Sequence, residues 1–288
     1  MRIQVPATTA NLGPGFDCLG LALNLFLTLD IGSPQTTWLI EHQLGADIPT
    51  DETNLIVATA LSIQPDLQPH HLVVHSDIPT ARGLGSSSSA IVAGIELANQ
   101  LGQLELTTAE KLALAVKKEG HPDNVAPAIL GQFVIATSVA DQVYYQQGQF
   151  PDCGIIVAVP PTELLTTESR GLLPAALPYK EAVAGASIGH VMIAALLNQD
   201  LVTAGQLLEA DLFHEPYRKK ILPHFDIIKD LAHQFHAYGT CISGAGPSVL
   251  TLLPTTHLAD FQQALQCRYP DFNLLNLSMN QTGVTCIN

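Results

Sequence analysis

The sequence predicts an α+β protein made of two lobes, and three observations support that fold class. The chain has 288 residues, which exceeds what one small core needs, and 47% of them are apolar while 13% are charged. Apolar runs of strand-like composition alternate with amphipathic stretches of helical period along the chain. Pro151 separates two such groups, so we expect one lobe at residues 1–150 and a second at residues 151–288.

The charge and cysteine content exclude several classes of protein. A net charge of −14 argues against nucleic acid or an anionic membrane as a partner. No stretch approaches the ~20 apolar residues of a membrane span, and the start of the sequence lacks a signal region, so we expect a cytoplasmic protein. The five cysteines are scattered without Cys-x-x-Cys spacing, which argues against a disulfide framework or a zinc site.

A long polar loop joins the first two predicted strands. The strands are predicted at residues 1–8 and 19–31. A hairpin needs only about 2–5 connecting residues, so the loop at 6–20 is larger than the topology demands. One interpretation is a plain Gly-Pro-Gly turn, in which Asn11 and Asp17 bond to nearby backbone. The other is a binding loop, and the residues alone leave both open.

The stretch PTARGLGSSSSA at 79–90 predicts an anion-binding loop. It follows a predicted strand at 71–76 and runs into apolar positions of helical spacing. Glycines let the backbone approach an anion, and the N–H groups and dipole at a helix start attract it. Serine hydroxyls can bind phosphate oxygens or magnesium. A serine-rich linker fits less well because the serines stop where the helix begins, and a helix cap needs only one of them. The spacing matches neither a Walker loop nor a Rossmann fingerprint.

Capping signals place two further helices in the first lobe. Thr53 or Asn54 begins one of them. Thr107 begins the other, with Glu110 completing the capping pattern three residues later. A predicted hairpin at 131–145 closes the lobe.

The stretch HPDNVAP at 121–127 begins a short helix. Gly120 ends the preceding helix, and Pro122 suits the first position of the next one. Asp123 and Asn124 could supply only charge and capping to the first helical turn. Alternatively, the same helix end could place these polar groups beside a phosphate that is being transferred.

The second lobe alternates strands and helices in an order typical of a ferredoxin-like fold. The elements are predicted at 154–160, 179–198, 226–234, 238–253, 258–266, 272–279 and 284–287. Two apolar pieces of the stretch 238–253 flank a Gly-Ala-Gly turn at 244–246, which could be a tight hairpin and no more. Arg170, taken alone, would more often be a solvated surface residue.

Four stretches together resemble the GHMP kinases and, within that superfamily, the homoserine kinase family. They are the loop at 6–20, the phosphate loop at 79–90, HPDNVAP at 121–127 and the Gly-Ala-Gly turn at 244–246. The resemblance covers essentially the whole chain. It implies the two-lobed GHMP kinase fold, with a ribosomal S5 domain 2-like N-terminal lobe that binds ATP and a ferredoxin-like C-terminal lobe.

The resemblance implies the ATP-dependent phosphorylation of L-homoserine to O-phospho-L-homoserine, a step toward threonine. It also implies Mg²⁺ as a cofactor and a homodimer. Two alternatives stay open: a GHMP kinase for another small alcohol such as mevalonate, and a non-catalytic nucleotide-binding relative.

The resemblance also implies roles for residues around the acceptor. Asp17 takes the ammonium group of the amino acid, and Arg170 and Arg218 fork onto its carboxylate. Asn124 meets the hydroxyl that is phosphorylated. Asp123 stands where some members have a catalytic aspartate, and whether it acts as a base stays open. Further substrate contacts are expected from Asn11, His121 and Thr166.

The nucleotide and metal residues follow from the same resemblance. The expected nucleotide contacts are Asn54 near the adenine and, around the phosphates, Pro79, Thr80, Ala81, Arg82, Gly83, Leu84, Gly85, Ser86, Ser87, Ser88, Ser89, Gly244 and Gly246. Ser87 and Glu119 are expected to hold Mg²⁺, because Ala113 occupies the position of the glutamate that some members have. Gly185 and Ile188 likewise stand where the family usually has an asparagine and an arginine.

Overall fold

The computed structural model describes residues 1–287, whose strands form two sheets. The strands are β1 (Arg2–Ala10), β2 (Leu19–Pro34), β3 (Leu39–His42), β4 (His70–Ser76), β5 (Phe133–Val139), β6 (Gln142–Gly148), β7 (Gly154–Val159), β8 (Gly239–Ile242), β9 (Val249–Leu253), β10 (Asn273–Leu277) and β11 (Thr285–Ile287). The first sheet has the order β11-β1-β2-β4-β3, with β5 beside the start of β2 and β6 beside β5. Its pairings are antiparallel except that of β3 with β4.

The helices pack on both sheets, and one of them lies at the centre of the first lobe. The helices are α1 (Leu55–Ile63), α2 (Ser86–Gly102), α3 (Thr108–Glu119), α4 (Pro122–Leu130), α5 (Thr166–Gly171), α6 (Tyr179–Leu197), α7 (Leu201–Leu208), α8 (Glu215–Arg218), α9 (Phe225–Gln234) and α10 (Leu258–Arg268). α2 contacts β1, α1, α3 and α4 and is buried along most of its length. The start of α2 is therefore held from several sides.

β2 pairs with different neighbours along its length. Its residues 19–21 pair with β5, whereas its residues 27–34 pair with β4. The register between β2 and β1 shifts at Pro6, where proline has no N–H to donate. Beyond this irregularity, Thr8 N–H donates to Leu84 O (3.2 Å), so the end of β1 lies against the loop that precedes α2.

The second sheet is antiparallel with the order β10-β7-β9-β8, which confirms the predicted ferredoxin-like lobe. The chain runs β7-α9-β8-β9-α10-β10, with α5 to α8 inserted between β7 and α9. Ile156 and Ala158 of β7 belong to a core with α9 and α10, while Val157 belongs to the larger core shared with the first sheet. Burial on both faces explains why β7 reads as a continuous apolar run.

Two parts of the chain differ from the prediction. The strand predicted at 284–287 in the second lobe is β11, which pairs with β1 of the first sheet and places Cys286 opposite Ile3. An apolar strand pattern does not specify its partner. β3, α5, α7 and α8 were not predicted, because none of them exceeds eight residues and their period is hard to recognise. The division of the chain at residue 150 stays a prediction.

α6 carries an exposed surface that the sequence did not suggest. By length and composition alone this helix could cross a membrane, with a mean hydropathy of 1.3 over an 18-residue window of which 28% is buried. The prediction that no stretch approaches such a span missed it. Core helices of globular proteins meet the same two criteria, and Gly185 of α6 packs closely on the ring of Phe213. The large exposed apolar side chains of α6 are Tyr179, Val183, Val191 and Leu197.

Candidate active site

Two adjoining cavities contain most of the predicted site residues. We name them the polar cavity, of about 100 Å³, and the apolar cavity, of about 340 Å³. The two cavities share the lining residues Ala81, Ser86, Ser87, Leu164 and Thr166. A ligand could therefore extend from one cavity into the other past the start of α2.

The predicted residues divide between these cavities. The polar cavity is lined by Asn11, Asp17, Ala81, Arg82, Gly83, Gly85, Ser86, Ser87, Ser88, Glu119, His121, Asp123, Asn124, Thr166, Arg170, Arg218 and Gly244. The apolar cavity is lined by Asn54 and Thr80, together with side chains such as Leu27, Ile56 and Val74. Asn54 also caps α1, since its Oδ1 accepts from Ile56 N–H (3.0 Å). The predicted residues Pro79, Leu84, Ser89 and Gly246 line neither cavity.

The loop before α2 has the backbone form that an anion site needs. Gly83 (φ 71°) and Gly85 (φ 70°) adopt the left-handed conformation, and Gly85 caps α2 without a side-chain hydrogen bond. The first N–H groups of α2 are therefore left for a ligand. Ser86 and Ser88 line the polar cavity at this point, whereas Ser89 turns inward and donates to Pro6 O (3.1 Å).

The Gly-Ala-Gly turn lies against this phosphate loop. Ser243 Oγ donates to Gly83 O (2.6 Å), and an added Cβ at Gly83 would overlap the carbonyl oxygen of Ser243. Gly244 N–H donates to Ala10 O (3.1 Å) at the end of β1. Three stretches that are distant in sequence thus meet at the polar cavity.

The loop after β1 holds Asp17 through Asn11. The two residues have positive φ angles, 72° for Asn11 and 55° for Asp17. Asn11 Oδ1 accepts from Asp17 N–H (3.0 Å), and Asn11 Nδ2 donates to Gly244 O (2.8 Å). Both interpretations of this loop are therefore compatible with the structure, because Asn11 bonds to nearby backbone and also lines the polar cavity.

Asp17 and Arg170 form a two-pronged ion pair across a large sequence separation. Arg170 Nη1 and Nη2 donate to the two carboxylate oxygens of Asp17 at 3.0 and 2.8 Å. The hydrogen bond to Asp17 raises the pKa of Arg170. Both side chains remain partly exposed, 40% for Arg170 and 33% for Asp17, so a ligand in the cavity can reach them.

Arg218 lies beside this pair and is almost fully buried, with 1% of its surface exposed. Its Nη1 donates to Gly244 O (3.0 Å) and to His214 Nδ1 (3.2 Å). Burial, together with the charge of Arg170, lowers the pKa of Arg218 to about 10. Its Nε is buried and has no partner among the described residues, and such a donor is costly unless a ligand accepts a hydrogen bond from it.

Phe16 and His214 complete this corner, and the sequence did not single them out. The guanidinium carbons of Arg170 and Arg218 lie 5.4 and 5.2 Å from the centre of the Phe16 ring, and the ring of His214 stacks on it at 5.3 Å. His214 Nε2–H donates to Gly13 O (2.9 Å), so its Nδ1 is the acceptor for Arg218; burial lowers the pKa of His214 to about 4. The four-residue spacing of His214 and Arg218 could have revealed their contact. No sequence signal marked Phe16.

The start of α4 brings His121, Asp123 and Asn124 to the polar cavity. His121 Nδ1–H donates to Asp123 Oδ1, and one polar atom each of Asp17, His121 and Asp123 lies within 4.8 Å of the others. Burial disfavours the imidazolium form of His121, but the hydrogen bond to Asp123 and the nearby negative charges outweigh it, so the pKa of His121 is raised. Asn124 Oδ1 accepts from Thr8 Oγ1 (2.8 Å), which leaves its Nδ2 as the end available to a ligand.

Glu119 lies in the polar cavity, but its hydrogen-bond partner is Ser88 and not Ser87. Ser88 Oγ donates to Glu119 Oε1 (2.8 Å), and burial raises the pKa of Glu119. Ser87 lines both cavities. Ala113 is exposed on α3 and belongs to neither lining.

Comparisons with known proteins point to one superfamily. The family model GHMP kinases N terminal domain matches residues 54–132, and the model GHMP kinases C terminal matches residues 192–271. A homoserine kinase of Listeria monocytogenes is 54% identical, covering 98% of this chain and 98% of its own length. The crystal structure of homoserine kinase from Cytophaga hutchinsonii has a TM-score of 0.88 at 28% identity, covering 100% of this chain and 97% of that one. L. major mevalonate kinase in complex with R-mevalonate, with a TM-score of 0.75 at 16% identity over 98% and 97% of the two chains, shares the fold alone.

Proposed function

We infer that this chain, which belongs to the homoserine kinase family of the GHMP kinases, transfers a phosphoryl group from ATP to the hydroxyl of L-homoserine, a step of threonine biosynthesis. Kinases of this superfamily use ATP, typically with Mg²⁺. The observation that carries the inference is that Asp17, Arg170 and Arg218 converge in one cavity with the phosphate loop. This arrangement supports an acceptor that carries both an ammonium group and a carboxylate.

The Asp17–Arg170 pair suits a zwitterion better than a singly charged alcohol. An amino acid can give its ammonium group to Asp17 and its carboxylate to Arg170, so both protein charges keep a partner of opposite sign. The unpartnered Nε of Arg218 supplies a further donor for the carboxylate. A neutral alcohol would gain nothing from either charge, and an alcohol with one charge would leave the other residue unpaired.

ATP is proposed to lie across the two cavities. Its phosphates would meet the first N–H groups of α2 and the hydroxyls of Ser86, Ser87 and Ser88. Its adenine would enter the apolar cavity, where Asn54 is part of the lining. The order of the two cavities then directs the terminal phosphate toward the side that holds Asp17.

The oxygen donors at the start of α2 fit Mg²⁺. Ser87, Ser88 and Glu119 offer two hydroxyls and a carboxylate, which are the hard ligands that this ion prefers. When bound, the ion would supply charge neutralisation to the phosphates. The raised pKa of Glu119 means that the buried carboxylate gains from a nearby cation, since a cation stabilises its ionised form.

Asn124 and His121 are proposed to place the acceptor hydroxyl. Thr8 fixes the amide of Asn124 so that its Nδ2 can meet the hydroxyl oxygen. Asp123 holds the imidazole of His121 through its Oδ1, which gives this carboxylate an orienting role whether or not it also accepts the hydroxyl proton. Phosphoryl transfer requires little more from a protein than such positioning and charge neutralisation.

A homodimer in the cytoplasm completes the proposal. Between residues 182 and 197, α6 carries no Asp, Glu, Lys or Arg, and its outer side exposes Val183, Val191 and Leu197. An exposed, uncharged helix face of this length suits a second copy of the chain. Sedimentation of the Val191→Glu variant tests this point: a shift from dimer to monomer is expected, and an unchanged dimer would place the interface elsewhere.

An ADP-release assay with three acceptor conditions tests the proposed activity. We expect ADP release that depends on L-homoserine, with no more than background release when mevalonate or no acceptor is added. Release with mevalonate would support a kinase for a different alcohol. Nucleotide binding without release under any condition would support a non-catalytic relative.

A further inference from the structure

Arg82 lies within the phosphate loop, yet its guanidinium is bonded to protein oxygens. Its Nε donates to Pro160 O (3.1 Å) and its Nη2 to Pro161 O (2.6 Å). Its Nη1 donates to Thr80 O (2.7 Å) and to Glu163 Oε1 (3.2 Å). A guanidinium has five N–H groups, so these four hydrogen bonds leave only one for any other acceptor.

These bonds connect two parts of the protein. Thr80 belongs to the phosphate loop itself, whereas Pro160, Pro161 and Glu163 follow directly after β7 of the second sheet. Leu164 N–H adds a backbone bond from the same segment, to Ala81 O (3.0 Å). The segment at 160–164 thus holds residues 81 and 82 of the phosphate loop, whereas Ser243 and Thr8 bond to Gly83 and Leu84.

The backbone of the phosphate loop adopts an unusual conformation that this support stabilises. Ala81 has a φ of 53°, in the left-handed region that a residue with a Cβ adopts only when its surroundings require it. Gly83 and Gly85 follow with the same sign of φ, so the loop turns sharply just before α2. The bonds to Arg82 and Ala81 O hold this turn and hence the direction of the N–H groups that follow.

We propose that Arg82 is a positioning residue for the phosphate loop: it fixes the loop against the segment after β7, and it does not bind the phosphates of ATP itself. The inference rests on the proposed nucleotide site. It explains why an arginine stands here, since a guanidinium can donate to four acceptors at once while a lysine ammonium has only three N–H groups. It also assigns this scarce cation, in a protein of net charge −14, to the fold of the loop and not to the ligand.

The test combines amide hydrogen exchange without nucleotide with steady-state kinetics. The variants are Arg82→Gln and Arg82→Lys, and Glu163→Gln is the matched control because it weakens one bond of the four. Exchange is measured by mass spectrometry on peptides that cover residues 79–88. Because this arm needs neither ATP nor an acceptor, it stands even if homoserine is not the substrate.

For Arg82→Gln we expect faster exchange at 83–88 and a rise of about tenfold or more in KM for ATP, with KM for homoserine within about twofold. Arg82→Lys should fall between this variant and the unsubstituted protein, and Glu163→Gln should remain close to the latter. A raised KM for ATP with unchanged exchange would overturn the proposal in favour of direct phosphate contact. Unchanged exchange and unchanged KM for ATP would also overturn it. If Arg82→Gln fails to fold, the amide exchange and the KM for ATP of Arg82→Lys test the proposal by the same criteria.

Discussion

The end of the polar cavity that we propose for phosphate, the phosphate end, is built from backbone, whereas the end that we propose for the amino acid, the amino-acid end, is built from charged side chains. Gly83, Gly85 and the start of α2 form the first end, and no side chain caps the helix there. Asp17, Arg170 and Arg218 form the second, and the two guanidinium groups lie over the ring of Phe16. The difference teaches which changes each end tolerates: the phosphate end depends on backbone conformation and close packing, and the amino-acid end depends on charge and on the shape of the charged groups.

The largest effect is expected from Gly83→Ala at the phosphate end. The new Cβ would overlap Ser243 O, and the φ of 71° is unfavourable for alanine, so the loop must shift. A displacement of this kind should lower kcat/KM for ATP by about 100-fold or more. Isothermal titration with ATP and steady-state kinetics measure the loss.

Gly45→Ala is the matched control for this variant. Gly45 has a φ of 113°, and no heavy atom lies within 4 Å of an added Cβ, so alanine at this position would introduce backbone strain without crowding. Gly45→Ala should therefore retain nearly full activity. If both variants lost activity equally, strain and not loop packing would explain the effect.

Asp17→Asn should have the next largest effect, and only at the amino-acid end. The substitution keeps the shape of the side chain but removes the charge that pairs with Arg170 and, in the proposal, with the substrate ammonium group. We expect kcat/KM for homoserine to fall by about 10- to 100-fold while ATP affinity stays constant.

The exposed pair of Arg2 and Asp30 offers a control, because it is also a two-pronged ion pair. Its Nε and Nη2 donors bond the two carboxylate oxygens at 2.8 and 2.9 Å. Asp30→Asn should leave the kinetics unchanged. If Asp17→Asn leaves the homoserine kinetics unchanged, charge is not what the amino-acid end depends on.

Arg170→Lys should have a smaller effect in the same direction. Lysine keeps the positive charge but cannot form the two-pronged contact with a carboxylate. A rise of about tenfold in KM for homoserine is expected, with little change in KM for ATP. If Arg170→Lys lost as much activity as Asp17→Asn, the geometry of the fork would matter as much as charge.

The smallest effect on activity is expected behind the amino-acid end, where the change is in stability. Glu215 of α8 is buried and accepts from Ile242 N–H (2.6 Å); burial, with Asp211 and Glu209 nearby, raises its pKa to about 8. The folded protein therefore keeps a proton that the unfolded chain releases above its ordinary pKa of 4.5. Stability from this group is full at low pH and declines as pH rises toward 8, by up to about 1.4 kcal/mol per pH unit.

Glu215→Gln should flatten that decline. The amide oxygen can still accept from Ile242 N–H, and the side chain no longer titrates. Urea unfolding of both proteins, in steps of ~1 pH unit between pH 5.5 and 8, measures the free energy of unfolding. The slopes of this free energy against pH are then compared. Equal slopes would mean that Glu215 is ionised in the folded protein.

The contrast between the two ends also explains what the sequence could predict. The phosphate loop is contiguous in the sequence: a strand, two glycines, serines and the start of α2 follow one another within about twenty residues. Its conformation could therefore be predicted from the sequence alone. Asp17 and Arg170 are 153 residues apart, and no spacing rule brings them together. Their presence in one site was suggested only by the family resemblance, and their ion pair was not predicted.

Other contacts depend on tertiary packing, which could not be predicted from the sequence pattern. Phe16 gains its role because two guanidinium groups from different helices lie on its ring. The partner of Glu119 is Ser88 because of the rotation of α2, which a run of four serines does not reveal. β11 joins the first sheet because β1 has a free edge with which it can pair. An apolar strand pattern does not predict such a partner.

A crystal structure of the protein with L-homoserine and ADP tests the central claim most directly. The account predicts that the ammonium group of the ligand lies against the Asp17 carboxylate, that its carboxylate accepts from Arg170 and from Nε of Arg218, and that its hydroxyl points toward Asn124. A ligand seated elsewhere, with the Asp17–Arg170 pair intact and Arg218 Nε still without a partner, would contradict it.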